Sequence, residues 1–420
     1  MLTGHMMEEP TLESQTCAIG EAMRHYKGFQ MPGVDILCDF RELNTVKQAQ
    51  SVARQYGKDG VTSELYGVTN WDFDFSGHKL QGDWQAAMGV THRVLHLYWV
   101  SMEGEGKRDY PASIGHQSPW YKEYPLIENH FARINTVMTR GTPKVDIAVI
   151  HPIESYWLHF GPNDQTGETR QALSVRFNDL TKWILFGMHD FDFISEALLP
   201  EQFNGCNGGF NVGKMKYKSV IVPELSTIRT TTLNSLKQFR ACGGEVIFMG
   251  KIPTLVDALP SREVIDFAKE CTVIDYDKNQ LLSVLENKRF VDVTTGDNER
   301  NFIYSLRKDG NKLNLFISHV NKSNNVEPTK AIVTIKGDWN ITLLNTLNGT
   351  KQKLYAKHVN GNTILTWYQS GVDSLLLQLK AGKSIKGNLL LPKEYAKREQ
   401  VENIAYYTLE EPNVLLLDTA

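Results

Sequence analysis

No run of apolar residues in this chain approaches the ~18 that a membrane helix needs, which argues against a helical span. Cysteine is scarce. The five in the sequence, Cys17, Cys38, Cys206, Cys242 and Cys271, are scattered and odd in number. That spacing gives neither a disulfide framework nor a zinc pattern, and unpaired thiols lean toward the cytoplasm. An excess of one charge is also missing. Forty-five Lys and Arg against 48 Asp and Glu leave a net charge of −3. Such a balance predicts no strong field for nucleic acid or an anionic membrane. The first residues, MLTGHMMEEPTLESQ, lack a basic leader region and a cleavage pattern, and read like the inside of a domain. The last, EEPNVLLLDTA, stop just after an apolar run. Both ends are expected to be cuts in a longer protein.

What is present describes a soluble multidomain protein. The 420 residues suffice for two to four domains of roughly 100–200 residues each. Hydrophobic residues make up 41% and charged residues 22%, as in ordinary globular chains. Eight tryptophans are enough for sugar-facing surfaces, and equally for large cores.

Residues 1–142 alternate strand-like and helix-like segments four times. Short apolar strands are expected near 2–7, 34–40, 61–65 and 93–101. Helical patterns follow near 12–26, 45–56, 79–89 and 121–140, with Asn44-Thr45 as a cap and Gly57 as a stop for the second. Each strand is followed by polar residues, as in a parallel sheet buried on both faces. Residues 143–295 read as a second α/β region, a flavodoxin-like open sheet with strands near 145–150, 191–197, 219–223 and 245–249. The stretch GCNGGFNVG at 205–213 opens no helix and lacks the Lys-Ser/Thr of a phosphate loop, so it reads as a hairpin or surface loop. No nucleotide or other cofactor is expected. Residues 296–385 switch to short alternating runs separated by Asp309-Gly310, Asn348-Gly349 and Asn360-Gly361, the pattern of an antiparallel β-sandwich. Residues 386–420 read as a charged linker and the start of a further β domain, with a strand at 414–417.

The segment DGVTSELYGVTNWD at 59–72 carries the chemistry. A short strand stops at Glu64, and Tyr66, Asn70, Trp71 and Asp72 follow. A (β/α) barrel keeps its active site at the C-terminal ends of its strands. There a carboxylate can move charge or a proton, and aromatic faces can pack on sugar C–H groups. The other early strands end similarly, with His5, Glu8 and Glu9, then Asp39 and Arg41, then His96, Trp99 and Glu103. In a parallel sheet these groups converge on one rim. Each also has a plainer reading: Glu64 as a loop carboxylate, Asp39 in an ion pair with Arg41, and His96 as a packed core histidine. Glu64 is the expected catalytic residue. His5, Glu8, Asp39, Tyr66, Trp71, Asp72, His96 and Trp99 are expected to bind substrate. His5 with Glu8 gives too few ligands for a metal site, so none is expected. Cys242, at a helix C-terminus, is expected to be structural.

Taken together, the order of barrel strands, flavodoxin-like domain and β domain resembles the family-42 beta-galactosidases. The segments QAQSVARQYGKDGVTSE and QAAMGVTHRVLHLYWVS are similar to stretches of the family-106 alpha-L-rhamnosidases. In those enzymes a helix with a Tyr-Gly stop precedes the strand bearing a catalytic Glu, and a strand of the form xGxxRxxxH follows. The corresponding positions here are Tyr56-Gly57, Glu64, Gly89, Arg93 and His96. The stretch TGHMMEEP at 3–10 looks like the fifth strand of such a barrel. The resemblance therefore implies the C-terminal half of a (β/α)8 TIM barrel. It also implies an oligo- or polysaccharide or glycoside substrate, and a proton donor on a fourth strand upstream of Met1; Glu8 or Glu9 could substitute. Contacts between flavodoxin-like domains in family 42 leave a homo-oligomer open. The competing expectation is a non-catalytic carbohydrate-binding or oligomerisation module. An amidotransferase-like enzyme built on the second region lacks a nucleophile elbow.

Overall fold

The computed structural model describes residues 2–105, 114–296, 300–322, 328–383, 386–390, 396–401 and 404–408, the last two segments as backbone only. The expected strand at 414–417 lies outside the described residues. Four sheets dominate: a four-stranded parallel sheet, a five-stranded parallel sheet, and a pair of antiparallel sheets. Among the described residues no helix is long and apolar enough to cross a membrane.

The first sheet runs in the order β1 (Thr3–His5), β2 (Met31–Ile36), β3 (Val61–Leu65), β4 (Val90–Leu95), all parallel. It is open, and no closed barrel forms among the described residues. The helices between strands are α1 (Leu12–Ala18), α2 (Ala22–Gly28), α3 (Leu43–Tyr56) and α4 (Phe75–Ala87), with α5 (Pro125–Met138) after β4. The single helix expected over 12–26 is two, parted at Gly20 in a left-handed conformation (φ 76°). Helix α3 starts earlier than expected and has no side-chain cap at its first turn, whereas its stop at Gly57 holds (φ 67°). There the glycine N–H reaches back to the carbonyls of Ala53 and Arg54. The strand expected at 34–40 instead spans Met31–Ile36, and the one expected at 93–101 spans Val90–Leu95. Both shift toward the N-terminus, and this changes which residues stand at the strand ends.

The two faces of this sheet differ. Val34, Ile36, Ser63 and Leu65 are fully buried against the helices. Register pairs Asp35 with Glu64, and Gly33 with both His5 and Thr62, so these share the other face. On that face His5, His92 and Val94 are exposed. A parallel sheet ordinarily has both faces covered.

The second sheet pairs Ile147–Ile150, Phe191–Ile194, Ser219–Val222, Glu245–Met249 and Thr272–Ile274. Numbered by chain position these lie in the order 2-1-3-4-5, all parallel, the order of a doubly wound sheet. The glycine-rich stretch forms a hairpin of Phe210–Val212 and Met215–Tyr217. The long antiparallel strands Phe302–Asp309, Lys312–His319 and Ser374–Ala381 belong to one sheet, and Val291–Thr295, Thr329–Lys336 and Asn362–Gln369 to another. Their inward side chains share one apolar core that includes Leu315, Ile317, Val333, Leu365 and Leu377.

Cys206 and Cys242 are joined in a disulfide across 36 residues, between the hairpin loop and the end of helix Thr230–Ala241. This corrects the expectation of no disulfide, because pairing depends on spatial approach that distant cysteines do not reveal in sequence. The unpaired-thiol argument for the cytoplasm therefore loses two of its five cysteines.

Helix α3 locks the first two sheets together. Its Lys47 and Arg54 reach Asp190 at 2.8 Å each, and Arg54 reaches Asp192 at 2.9 Å. The Tyr217 hydroxyl donates to Asp192 at 2.8 Å. All four charges are buried, two of each sign. Burial alone would raise the Asp190 carboxyl, but Arg54 and Lys47 outweigh it and hold it below its ordinary value. The edge strand Phe191–Ile194 is covered by the same helix: Ser51 Oγ accepts from the Phe193 N–H at 2.9 Å, and Gln55 donates to the Phe193 carbonyl at 2.8 Å.

Removing one charge of this set strands the others in a dry interior. Asp190→Asn is expected to destabilise the protein by about 3–5 kcal/mol, read from urea unfolding. A change under about 1 kcal/mol would contradict the buried-charge account. A second expectation concerns Glu196, which accepts the Arg229 backbone N–H at 2.8 Å. Burial pushes its carboxyl up to about 8 from the ordinary 4.5. The folded state therefore keeps a proton that the unfolded state releases. This contribution is full below about pH 4.5 and is lost as pH rises through about 8. In Glu196→Gln that decline is expected to disappear, which paired urea titrations near pH 5 and pH 8 would check.

Candidate functional site

The C-terminal ends of β1 to β4 bring four polar side chains together. His5 ends β1, Asp35 stands one residue before the end of β2, and Glu64 one before the end of β3. His96 follows β4 directly, its N–H bonded to the Leu65 carbonyl at 3.0 Å. His5 Nε2 lies 3.0 Å from Glu64 Oε2, and His5 Nδ1 lies 3.9 Å from Asp35 Oδ2. His96 Nε2 approaches Glu64 Oε1 at 3.8 Å. Glu64 is thus flanked by two imidazoles and a second carboxylate, with its side chain 25% exposed. It is neither sealed in the core nor fully solvated.

Asp35 is the residue that sequence reasoning missed. The register pairs it with Glu64 on the next strand, on the open face. Burial raises its carboxyl above the ordinary range; His5 and His96 pull it down, and Glu64 pushes it up. Its Oδ1 is buried without a hydrogen-bond partner among the described residues. The signal available in sequence was a lone acid between Val34 and Ile36, inside an apolar strand. Asp39, expected at this position, lies three residues past the strand end. Half exposed, it pairs with Arg41 at 2.6 Å and stays out of the cluster.

The backbone around these groups is strained. Of nine non-glycine residues with positive φ among the described residues, five follow β1, β2 and β3: Glu8, Cys38, Tyr66, Val68 and Asn70. Such conformations cost of order 1–3 kcal/mol each and persist where the surroundings over-determine them. Tyr66 supplies part of that determination. It is fully buried, its hydroxyl donates to the His78 carbonyl at 2.9 Å, and its ring packs against His78 and Phe73. The expectation that Tyr66 faces a sugar is corrected: a ring sealed in the core pins the loop instead. Gly67 is the second missed residue. A Cβ there would come within 2.3 Å of His96 Nδ1, so any side chain would displace that imidazole.

The remaining expected residues surround the cluster. Trp71 and Trp99 are half-buried, their rings tilted at 37° with centroids 6.0 Å apart. The Trp99 carbonyl accepts from Gln117 Nε2 at 2.5 Å, which ties its loop to the segment before α5. Asp72 and Glu8 are exposed. Glu9 is buried, where the Tyr26 hydroxyl donates to it at 2.7 Å, so its role is structural. Arg93 of the strand motif lies over the Phe131 ring at 3.9 Å and pairs with Glu128 at 2.8 Å. It holds β4 against α5 and does not point to the open face.

One nitrogen and two carboxylates so placed can share protons or hold a divalent cation. The ligand atoms of His5, Asp35 and Glu64 lie within 4.8 Å of one another. His5 thus finds its partners on neighbouring strands, not in Glu8.

With the geometry in place, the fold can be compared with solved structures. A rhamnosidase from Novosphingobium sp. PP1Y superposes over 90% of this chain at a TM-score of 0.67 and 14% identity. A catalytic mutant of a GH42 beta-galactosidase from G. stearothermophilus matches 85% of it at 0.57 and 10% identity. Alpha-L-fucosidase isoenzyme 2 from Paenibacillus thiaminolyticus matches 81% at 0.50 and 11% identity. All three are glycoside hydrolases. At such identities the likeness is one of fold. This chain spans 37% of the rhamnosidase, 60% of the galactosidase and 63% of the fucosidase. No protein-family model and no curated protein matches the sequence.

The electrostatics of the cluster can be read directly from Asp35. In Glu64→Gln its carboxyl is expected to titrate at lower pH, because a repelling charge is gone. In His5→Ala it is expected to titrate at higher pH, because an attracting one is gone. Carboxyl-carbon NMR titrations of the three proteins would check both signs, and unchanged curves would mean that the groups do not interact.

Proposed function

We propose that this chain is the carboxylate-bearing portion of a glycoside hydrolase, with Glu64 as the nucleophile or as the base that activates water. The observation that carries this reading is the convergence of His5, Asp35, Glu64 and His96 at the ends of four parallel strands, on a face left open. Trp71 and Trp99, half-buried in loops past β3 and β4, offer apolar ring surface for a pyranose. The hydrolase folds of the solved neighbours support the same class.

In this reading residues 1–142 are the C-terminal half of a (β/α)8 barrel. Residues 143–295 are the flavodoxin-like domain, except that the last strand of that range, Val291–Thr295, pairs with Thr329–Lys336 and belongs with the β-sandwich of 296–385. Past these, Ala396–Val401 and Ile404–Thr408 pair as an antiparallel hairpin where a linker is expected. The open face of the first sheet and the 2-1-3-4-5 order of the second support this division.

Glycoside hydrolysis needs carboxyl groups on both sides of the scissile bond. Asp35 and Glu64 stand side by side on adjacent strands and reach a sugar from the same side. The acid that protonates the leaving oxygen therefore has to come from the opposite wall. The proposal assigns it to polypeptide outside these 420 residues. Asp35, its carboxyl raised by burial, stands beside His5, and His5 Nε2 in turn holds Glu64 at 3.0 Å. His96 fixes the other side of the same carboxylate.

The test is kinetic. In the complete protein, Glu64→Gln keeps the shape and removes the charge, so it should lower kcat far more than it raises KM on aryl galactosides, rhamnosides, glucosides or arabinosides. The 420-residue chain alone should turn over slowly, since general acid assistance is worth roughly 10²–10⁴ in rate. Wild-type rates for Glu64→Gln would remove it from the mechanism, and fast turnover by this chain alone would refute the external donor.

A further inference from the structure

We propose that a cationic cleft lined by none of the Glu64 cluster binds an acidic oligosaccharide, one bearing uronate or sulfate groups. The saccharide assignment rests on the hydrolase reading above; the charge and the platform rest on geometry alone.

The cleft holds about 830 Å³ between the second sheet and the antiparallel pair. Seven lysines and arginines line it against a single carboxylate, Asp146, in a chain whose net charge is −3. That carboxylate is already taken by Lys218 at 2.8 Å. Two of the other cations are also neutralised, Lys288 by Glu245 at 2.5 Å and Arg289 by Glu286 and Asp292 at 2.6 and 2.8 Å. Lys144, Lys308, Lys312 and Lys336 have no acidic partner among the described residues. Four uncompensated ammonium groups around one concavity raise the local concentration of anions.

The cleft also has an aromatic platform. Trp339 lines it, and its indole N–H donates to the Lys336 carbonyl at 2.7 Å. Phe290 meets the ring edge-on, with centroids 6.1 Å apart. A ring so fixed loses little freedom when a sugar packs on it. Single-stranded nucleic acid would call for successive aromatics along the track. This cleft offers one such indole among ammonium groups, which fits a sugar ring flanked by anionic substituents.

The groove continues. An adjoining cleft of about 1050 Å³ shares Lys144, Asp146 and Lys308 and adds Lys214 and Lys216, again without acidic partners among the described residues. It reaches Gly60, Val61, Val90 and Thr91, where β3 and β4 begin. Glu64 stands at the other end of β3. The groove would thus hold a polymer away from the cleavage site, as a secondary binding track.

Titration calorimetry on the 420-residue chain tests this, with tetragalacturonate, a sulfated carrageenan tetrasaccharide, a neutral galactan tetrasaccharide and a 12-nucleotide single strand as probes. At least one acidic saccharide is expected to bind about tenfold or more tighter than the neutral one, with affinity falling as salt rises. Which acidic probe prevails distinguishes uronate from sulfate. The Lys308→Gln/Lys312→Gln double variant should weaken binding about tenfold and flatten its salt dependence. Trp339→Leu should weaken it with the salt dependence unchanged; if that variant fails to fold, the lysine pair carries the test. Equal affinity for acidic and neutral saccharides, no binding of either acidic probe, or tighter binding of the oligonucleotide would overturn the proposal. Glu64→Gln should bind the acidic tetrasaccharide as the parent does. A complete protein that binds it yet hydrolyses no glycoside would refute the hydrolase reading and leave this one standing.

Discussion

The four buried charges between helix α3 and the second sheet are the constraint on which the rest of the molecule leans. Two cations and two carboxylates are stable in a dry interior only when every one is paired. Hydrophobic packing alone tolerates sliding, whereas Lys47, Arg54, Asp190 and Asp192 satisfy one another in a single relative position. Helix α3 connects β2 to β3, so its placement fixes where Asp35 and Glu64 stand. The Gln48–His151 contact at 2.9 Å and the bonds from Ser51 and Gln55 to Phe193 extend the same lock along the helix. A helix whose buried face is this polar exchanges non-directional attachment for registration.

Registration matters because the cluster around Glu64 is made from loops in unfavourable backbone conformations. Tyr66, Val68 and Asn70 all sit at positive φ within five residues of one another. Such a loop keeps its shape only if its anchors do not move, and the buried Tyr66 ring is one anchor. The other is the close approach of Gly67 to His96, which lets the β3 and β4 loops touch without a side chain between them. Stability is thus drawn from the helices and spent near the carboxylates, a common arrangement where geometry has to be held for chemistry.

How much of this could be read from sequence varies with the kind of signal. Strand β3 was legible to the residue, because a short apolar run between Gly60 and a carboxylate has one reading. Strand β2 was not. The expected strand at 34–40 puts Asp39 near its end, whereas the strand spans Met31–Ile36 and it is Asp35 that stands near the end. Strand β4 was displaced because the apolar run continues through Trp99, well beyond the last strand pair at Leu95. Composition cannot tell an aromatic that faces a ligand from one that pins a loop, and Tyr66 is of the second kind. The Cys206–Cys242 link and the ion cluster depend on residues 36 and more than a hundred positions apart, and no local pattern encodes them.

The hairpin at Phe210–Tyr217 has a consequence of another kind. It is carried by the chain of the second sheet, yet its turn lies on helix α3. The Lys214 N–H bonds the Gln55 carbonyl at 2.8 Å, and a Cβ on Gly213 would come within 2.0 Å of that same oxygen. Tyr217, at the hairpin's end, closes onto the ion cluster through Asp192. Two segments more than a hundred and fifty residues apart therefore share one interface, bonded through main chain as well as side chain. Neither sheet can open without exposing the polar groups of the other, so the two should melt as one cooperative unit and display amide-exchange protection of common height. Two sheets in architecture, they should behave as a single foldon.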